Sequence, residues 1–304
     1  LYSDTQRFTE SEKMHKAALE IYKRLAKDNP QAYEPDLARS YNNLANLYSD
    51  TQRFTESEKM HKAALEIYKR LAKDNPQAYE PDLARSYNNL AVLYSDTQRF
   101  AESEAMFKLA LAIRERLVKD NPQAYEPDLA RSYNNLAVLY SDTQRFAESE
   151  AMFKLALAIR ERLVKDNPQA YEPDLARSYN NLANLYSDTQ RFTESEKMHK
   201  AALEIYKRLA KDNPQAYEPD LARSYNNLAV LYSDTQRFAE SEQMYKAALE
   251  IRKRLAEANP QAYEPVLADS YCNLAILYYD TQRFNESEDM YNAALAIRAR
   301  LGIE

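Results

Sequence analysis

The stretch Leu93-Tyr94-Ser95-Asp96-Thr97-Gln98-Arg99-Phe100 joins an apolar pair to a run of polar turn formers and a closing aromatic. The same string begins at Leu1, Leu47, Leu139, Leu185 and Leu231, and a variant with Tyr279 in place of serine begins at Leu277. Every interval is 46 residues, so the 304-residue chain holds six full periods and 28 further residues. Constant spacing of this length marks an array of units that bury their apolar faces against one another.

Outward from that string the chain reads as two helical stripes. Upstream, Leu83, Tyr87, Leu90, Ala91 and Tyr94 follow at helical spacing. They follow Pro81, which suits a first helical turn because its missing N–H needs no partner there. Downstream, Phe100, Ser103, Met106, Phe107, Ala110, Leu111, Ile113 and Leu117 form the second stripe. Glu102 and Glu104 near its start, and Arg114, Arg116 and Lys119 near its end, match the helix dipole. Asn121-Pro122 is expected to stop this helix, because the residue before a proline avoids the helical region. Gln123 to Glu126 would then bridge to Pro127. The expectation is a hairpin with helices of about 15 and about 20 residues. Over the chain this gives seven second helices and six first helices, with Leu1-Tyr2-Ser3-Asp4 as the stump of another first helix. Tyr33, Tyr79, Tyr125, Tyr171, Tyr217 and Tyr263 fall in the expected connectors, where they would pack a loop against a helix flank.

Composition agrees. The chain has a single glycine, Gly302, and glycine is the usual residue of left-handed turns, so glycine-free turns between helices are expected. The net charge of −6, from 41 basic and 47 acidic residues, gives no reason to expect nucleic acid as a partner. No apolar run approaches the roughly 20 residues of a membrane span. Cys272 is alone, which excludes an internal disulfide framework and fits a reducing, cytoplasmic location. Leu1 is not an initiator methionine, so the sequence is expected to begin inside a longer chain.

The spacing Tyr87-x2-Leu90-Ala91-x2-Tyr94, then Ser103-x3-Phe107-x2-Ala110, resembles the tetratricopeptide repeat signature. Tyr87 stands where that family often has tryptophan, Ala91 at its small-residue position, and Ser103 in place of its usual alanine. The period exceeds the family's roughly 34 residues. The strings Asn-Asn-Leu-Ala-Val-Leu-Tyr and Ala-Leu-Ala-Ile-Arg look like the longer subclass found in kinesin light chains and many bacterial proteins. The resemblance implies an all-α, right-handed superhelical solenoid of antiparallel helix hairpins. It would run as one array over residues 1–304, with units starting at 1, 47, 93, 139, 185, 231 and 277. It also implies a protein–protein interaction scaffold whose first helices line a concave groove.

Catalytic chemistry finds little support. One glycine leaves no room for a Gly-rich phosphate loop, and no His-Glu-x-x-His or Cys-x-x-Cys occurs. His15, His61 and His199 share one repeat position, which Phe107, Phe153, Tyr245 and Tyr291 hold elsewhere. Separate units make a shared metal ion improbable chemistry, and a histidine packed in an aromatic slot is the preferred reading. Tyr22, Tyr68 and Tyr206 accompany the histidines seven residues on, where Arg114, Arg160, Arg252 and Arg298 stand in the other units. Residues seven apart share a helical face, so this covariation reads as local repacking. Glu102 and Glu104, two apart, do not face the same way and read as dipole and solubility residues. Cys272 replaces an asparagine of the other units and reads as a drifted surface residue. No enzyme activity, cofactor or metal is expected.

The candidate peptide site lies on the first helices. It comprises Arg39, Asn42 and Asn46; Arg85, Asn88 and Val92; Arg131, Asn134 and Val138; Arg177, Asn180 and Asn184; and Arg223, Asn226 and Val230. Asn89, Ser95 and Asp96 flank this set. Asparagine amides can donate to and accept from an extended backbone, and arginines can pair with carboxylates in bidentate fashion. The competing reading is that the asparagines bond only to the adjacent helix. The expected partner is therefore a protein or extended peptide carrying acidic groups, not nucleic acid or membrane. The carboxylate-clamp pattern of the family needs lysine where these units place asparagine, so chaperone C-termini are not expected. The alternatives are a spacer or oligomerisation arm, or a sensor segment of a larger protein. Apolar residues continuing into both end helices also suggest head-to-tail self-association.

Overall fold

The computed structural model describes the backbone of residues 2–302 and the side chains of residues 7–302. Among the described residues the chain is all-α, with thirteen helices and no strand. They are α1 (Tyr2–Asp28), α2 (Pro30–Asp50), α3 (Phe54–Asp74), α4 (Pro76–Asp96), α5 (Phe100–Asp120), α6 (Pro122–Asp142), α7 (Phe146–Asp166), α8 (Pro168–Asp188), α9 (Phe192–Asp212), α10 (Pro214–Asp234), α11 (Phe238–Ala258), α12 (Pro260–Asp280) and α13 (Phe284–Leu301). Packing divides the chain into two compact units, Leu1–Ile159 and Arg160–Glu304, each a stack of helix hairpins.

The hairpin count is as expected, but the first helices are longer. Each starts at the first proline of its pair, so α4 runs 21 residues from Pro76 and contains Pro81. Asn75 decides this: its backbone is extended (φ −139°, ψ 83°) and its side-chain oxygen accepts from the Ala78 N–H at 3.2 Å. Asparagine as cap followed by proline at the first helical position is a strong start signal. Pro81 removes one donor in the second turn of a helix already begun. The expected connector therefore does not exist, and Asn121 alone separates α5 from α6. The tyrosines assigned to it are helical and half-buried; Tyr79 packs against the cluster of Ile67, Tyr68 and Leu71.

The turn within each hairpin is held by backbone bonds. Gln98 N–H donates to Ser95 O at 2.9 Å and Arg99 N–H to Tyr94 O at 2.7 Å, the pairing of a Schellman cap. That cap needs one left-handed residue, and glutamine supplies it: Gln98 has φ 59°, as Gln52, Gln144, Gln190, Gln236 and Gln282 do within a few degrees. The turns are glycine-free as expected, at a local conformational cost of about 1 kcal/mol each. Residues Ser3 to Arg7 carry the same letters yet continue α1 as helix. The expected stump of a first helix is thus the start of α1, and Leu1 lies outside the described residues. Elsewhere the turn arginine is anchored by a glutamate 41 positions earlier, as Arg53 is by Glu12 at 2.9 Å; Arg7 has no such residue in this sequence.

The core lies between neighbouring hairpins. Leu65 of α3 packs with Leu90, Leu93 and Tyr94 of α4, joined by Met106 of α5. In the second unit Leu203, Leu228, Leu231, Tyr232 and Met244 repeat this cluster. Burying each such leucine contributes about 1.5–3 kcal/mol. Ala91, fully buried, lets the backbones approach closely: Ser103 Oγ of α5 donates to its carbonyl at 2.8 Å.

Candidate peptide-binding face

Spacing of four, three and four residues puts Arg39, Asn43, Asn46 and Asp50 on one face of α2, and all four are exposed. The matching residues of α4 are Arg85, Asn89, Val92 and Asp96. Val92, Val138 and Val230 keep 38–40% of their surface exposed on this face. Clefts open between successive first helices. Asn46, Asp50, His61, Asn89, Val92 and Asp96 line one of about 220 Å³ between α2 and α4. Val92, Asp96, Phe107, Asn135, Val138 and Asp142 line one of about 190 Å³ between α4 and α6. In the second unit Asn184, Asp188, His199, Asn227, Val230 and Asp234 line another, between α8 and α10.

The residues expected from sequence divide into three groups. Asn46, Val92, Val138, Asn184 and Val230 line these clefts. The arginines Arg39, Arg85, Arg131, Arg177 and Arg223 are exposed, but each meets an aspartate one turn earlier: Asp36, Asp82, Asp128, Asp174 and Asp220. The ladder of Asn42, Asn88, Asn134 and Asn180 is not on the face at all, being 91% or more buried, and Asn226 is half-buried. Asn42 Nδ2 donates to Ser86 Oγ at 3.2 Å and its Oδ1 meets His61 Nδ1 at 3.0 Å. Asn180 does the same with Ser224 at 3.0 Å and His199 at 3.0 Å. Asn88 instead accepts from Asn135 Nδ2 at 3.0 Å, and Asn226 from Asn273 at 2.9 Å. This corrects the first reading of the ladder: of two adjacent asparagines, the second meets the cleft and the first ties the helices together. Cys272, at the first asparagine's position, is half-buried instead of lying on the surface.

The covariation of histidine with tyrosine, and of phenylalanine with arginine, now has a mechanism. Units with His61 and Tyr68 reach the next first helix through Asn42 and Ser86. Units with Phe107 and Arg114 reach it through the Arg114 guanidinium, which donates to Ser132 Oγ. Arg252 does so to Ser270 at 2.6 Å. Burial holds the His61 and His199 imidazoles down at about 4, so both are neutral. Burial also lowers the Arg114 guanidinium to about 10, still charged at neutral pH. At the cleft rim partial burial pushes the Asp96 and Asp142 carboxyls up, and neither forms an ion pair among the described residues.

Sequence reasoning named Asn89 and Asp96 only as flanking residues, and passed over the other second asparagines and helix-ending aspartates, and His61 and His199, as cleft residues. The aspartates carried a readable signal. A negative charge in the last turn of a helix opposes the dipole, and here it recurs at Asp50, Asp96, Asp142, Asp188, Asp234 and Asp280. Among the described residues no group of three histidine, cysteine or acidic side chains is placed to hold a metal ion, and no helix is long and apolar enough to cross a membrane.

Stacked helix hairpins with a ridged, polar-rimmed exposed face define a helical-repeat binding scaffold. The tetratricopeptide repeat profile matches residues 36–116, 82–162, 174–254 and 220–300, with a second tetratricopeptide repeat profile on residues 1–31, and the chain belongs to that family. BtubC (BKLC) from P. vanneervenii is similar in structure, at TM-score 0.66 and 24% identity over 82% of this chain and 92% of that one. The apo form of RapI matches at TM-score 0.60 and 16% identity over 99% and 97%. A kinesin light chain candidate from Podosopora anserina, with nearly identical TPR-like repeats, matches at 0.58 and 16% over 73% and 98%. At these identities the likeness is one of fold. A comparison with curated proteins finds no match.

Proposed function

We propose that the exposed face of the first helices is a groove that binds an extended segment of a partner protein, and that the chain acts as a non-catalytic, cytoplasmic scaffold. The observation that carries this is the half-exposed valines, Val92 and Val138 in the first unit and Val230 in the second, set in clefts rimmed by asparagine and aspartate. Apolar floors with a few convergent polar groups are the usual make-up of recognition sites. Acidic groups of the partner would meet the arginine end of each helix, in competition with Asp36, Asp82 and Asp128. The aspartate end takes the opposite charge.

The test is selection of a random 12-residue displayed peptide library on the immobilised chain. Enriched peptides should lose affinity for Val92→Glu with Val138→Glu and keep it for Glu66→Ala on an exposed second-helix surface. Peptides indifferent to both valines would sink the groove. A second reading, head-to-tail self-association, rests on end-helix residues whose counterparts are buried. Ile21 is 49% exposed against 8% for Ile67, and Leu295 44% against 5% for Leu249. Size measured across a concentration series, with Ile21→Lys and Leu295→Lys as controls, tests it.

A further inference from the structure

Two of the clefts contain a polar group that no other described residue satisfies. His61 is 2% exposed, and the hydrogen bond at its Nδ1 is fixed by Asn42. Asn42 gives its N–H to Ser86 Oγ, so the oxygen it turns to His61 accepts, and Nδ1 must carry the imidazole proton. Nε2 is then a bare acceptor, with no partner among the described residues, on a ring that lines the cleft. The neutral state imposed by burial keeps it so at pH 7. His199 repeats every element of this through Asn180 and Ser224. One turn before each histidine, Ser57 Oγ and Ser195 Oγ are buried without a partner, whereas Ser103, Ser149 and Ser241 each bond a carbonyl at 2.8 Å. Among the described residues, the fully buried side-chain polar atoms without a partner thus fall in the histidine units.

The rest of the first cleft is acceptor-rich. Asp50 and Asp96 line it from the ends of α2 and α4, where unpaired carbonyls add to their negative potential. No lysine or arginine lines it, and among the described residues its histidine and two aspartates are not placed to hold a metal ion together. An ammonium group has three donors and no acceptor, which complements one imidazole nitrogen and two carboxylates. The cleft over Phe107 keeps two aspartates but offers a phenyl ring where the histidine stands, and Val92 where the first cleft has Asn46.

We infer that the clefts over His61 and His199 each seat a lysine side chain of an extended partner segment, the ammonium bonded to histidine Nε2 and to the flanking aspartates. This rests on the groove reading and specifies its occupant.

The probe is a fluorescein-labelled 12-residue peptide of alternating lysine and valine, titrated by anisotropy against the full chain at moderate salt. Peptides with acetyl-lysine, norleucine or glutamate in place of lysine serve as comparisons. The lysine peptide should bind at least about tenfold more tightly than all three, the size of one charge-assisted hydrogen bond. His61→Phe with His199→Phe, the residue found at 107 and 153, should lose about tenfold. Because both histidines are neutral, that loss cannot be a change in net charge. Asp96→Asn with Asp234→Asn tests the same clefts from exposed positions, outside the buried histidine–asparagine–serine chain, and should weaken binding similarly. Equal affinity for the glutamate peptide, no binding of the lysine peptide, or indifference to all four substitutions overturns the assignment. If the norleucine peptide binds equally well and still depends on Val92 and Val138, the lysine seat fails while the groove stands; if no peptide depends on those valines, the groove itself fails.

Discussion

Glu58 and Arg99, 41 residues apart, meet at 2.7 Å, and the same arginine lies 4.1 Å from the Tyr94 ring while Tyr94 Oη donates to Glu58 at 3.1 Å. The turn before α5 is thereby fastened to α3, the second helix of the preceding hairpin. Arg145 with Glu104, Arg237 with Glu196 and Arg283 with Glu242 repeat the fastening. Burial alone would raise the Glu58 carboxyl, but donors from Arg99, Lys62 and Tyr94 bring it down to about 2. The folded value lies below the unfolded one, so this stabilisation is present above about pH 4.5 and is lost as pH falls toward 2. Glu58→Gln should lower the melting temperature at pH 7 and have no effect at pH 2, measured by circular dichroism across pH.

The histidines define a second, higher window. Their folded value of about 4 lies below the unfolded 6.5. Full stability therefore holds above pH 6.5 and declines as pH falls to 4, by roughly 3 kcal/mol per histidine at most. Urea unfolding between pH 7 and 4 should show this decline, and the variant with His61→Phe and His199→Phe should flatten it.

Gln98 occupies a backbone region that favours glycine, with φ 59° and an exposed side chain. Gln98→Gly should stabilise by about 0.5–1 kcal/mol, the relief of strain exceeding the added freedom of the unfolded chain. Gln98→Val should destabilise by more than about 1 kcal/mol, since a β-branched residue resists positive φ. Chemical denaturation of both variants gives the sign and the order.

Asn42→Ala leaves the His61 Nδ1 proton and Ser86 Oγ without their partner and should cost about 1–3 kcal/mol. Asn46→Ala, four residues on and exposed, should change stability by less than about 0.5 kcal/mol. Equal effects in denaturant melts would show that the two asparagines do not divide their work as described.

Most of the architecture is legible in the letters, because a 46-residue period and two apolar stripes fix helix number and facing. The helix starts were misread at Asn75-Pro76, where the same dipeptide both ends one helix and caps the next, and a second proline at 81 offers a rival start. The binding face was half legible. Neighbouring asparagines such as Asn42 and Asn43 differ by about 100° around the helix, and their letters are identical. What buries the first is His61 together with Ser86, which lies 44 residues away, and no local pattern carries that.

Ser86 and Ser132 stand at the same place in successive hairpins, yet one accepts from an asparagine and the other from an arginine. Ser178, Ser224 and Ser270 do likewise, with Arg160, Asn180 and Arg252 as donors. A hydroxyl takes either donor, so the receiving hairpin does not depend on which kind precedes it. The junction works as a common socket for two plugs. Hairpins of either kind can be deleted, copied or reordered in whole periods without leaving a mismatched seam. Along the chain the succession of histidine and phenylalanine clefts is therefore free to vary while the serine at the junction accepts either donor.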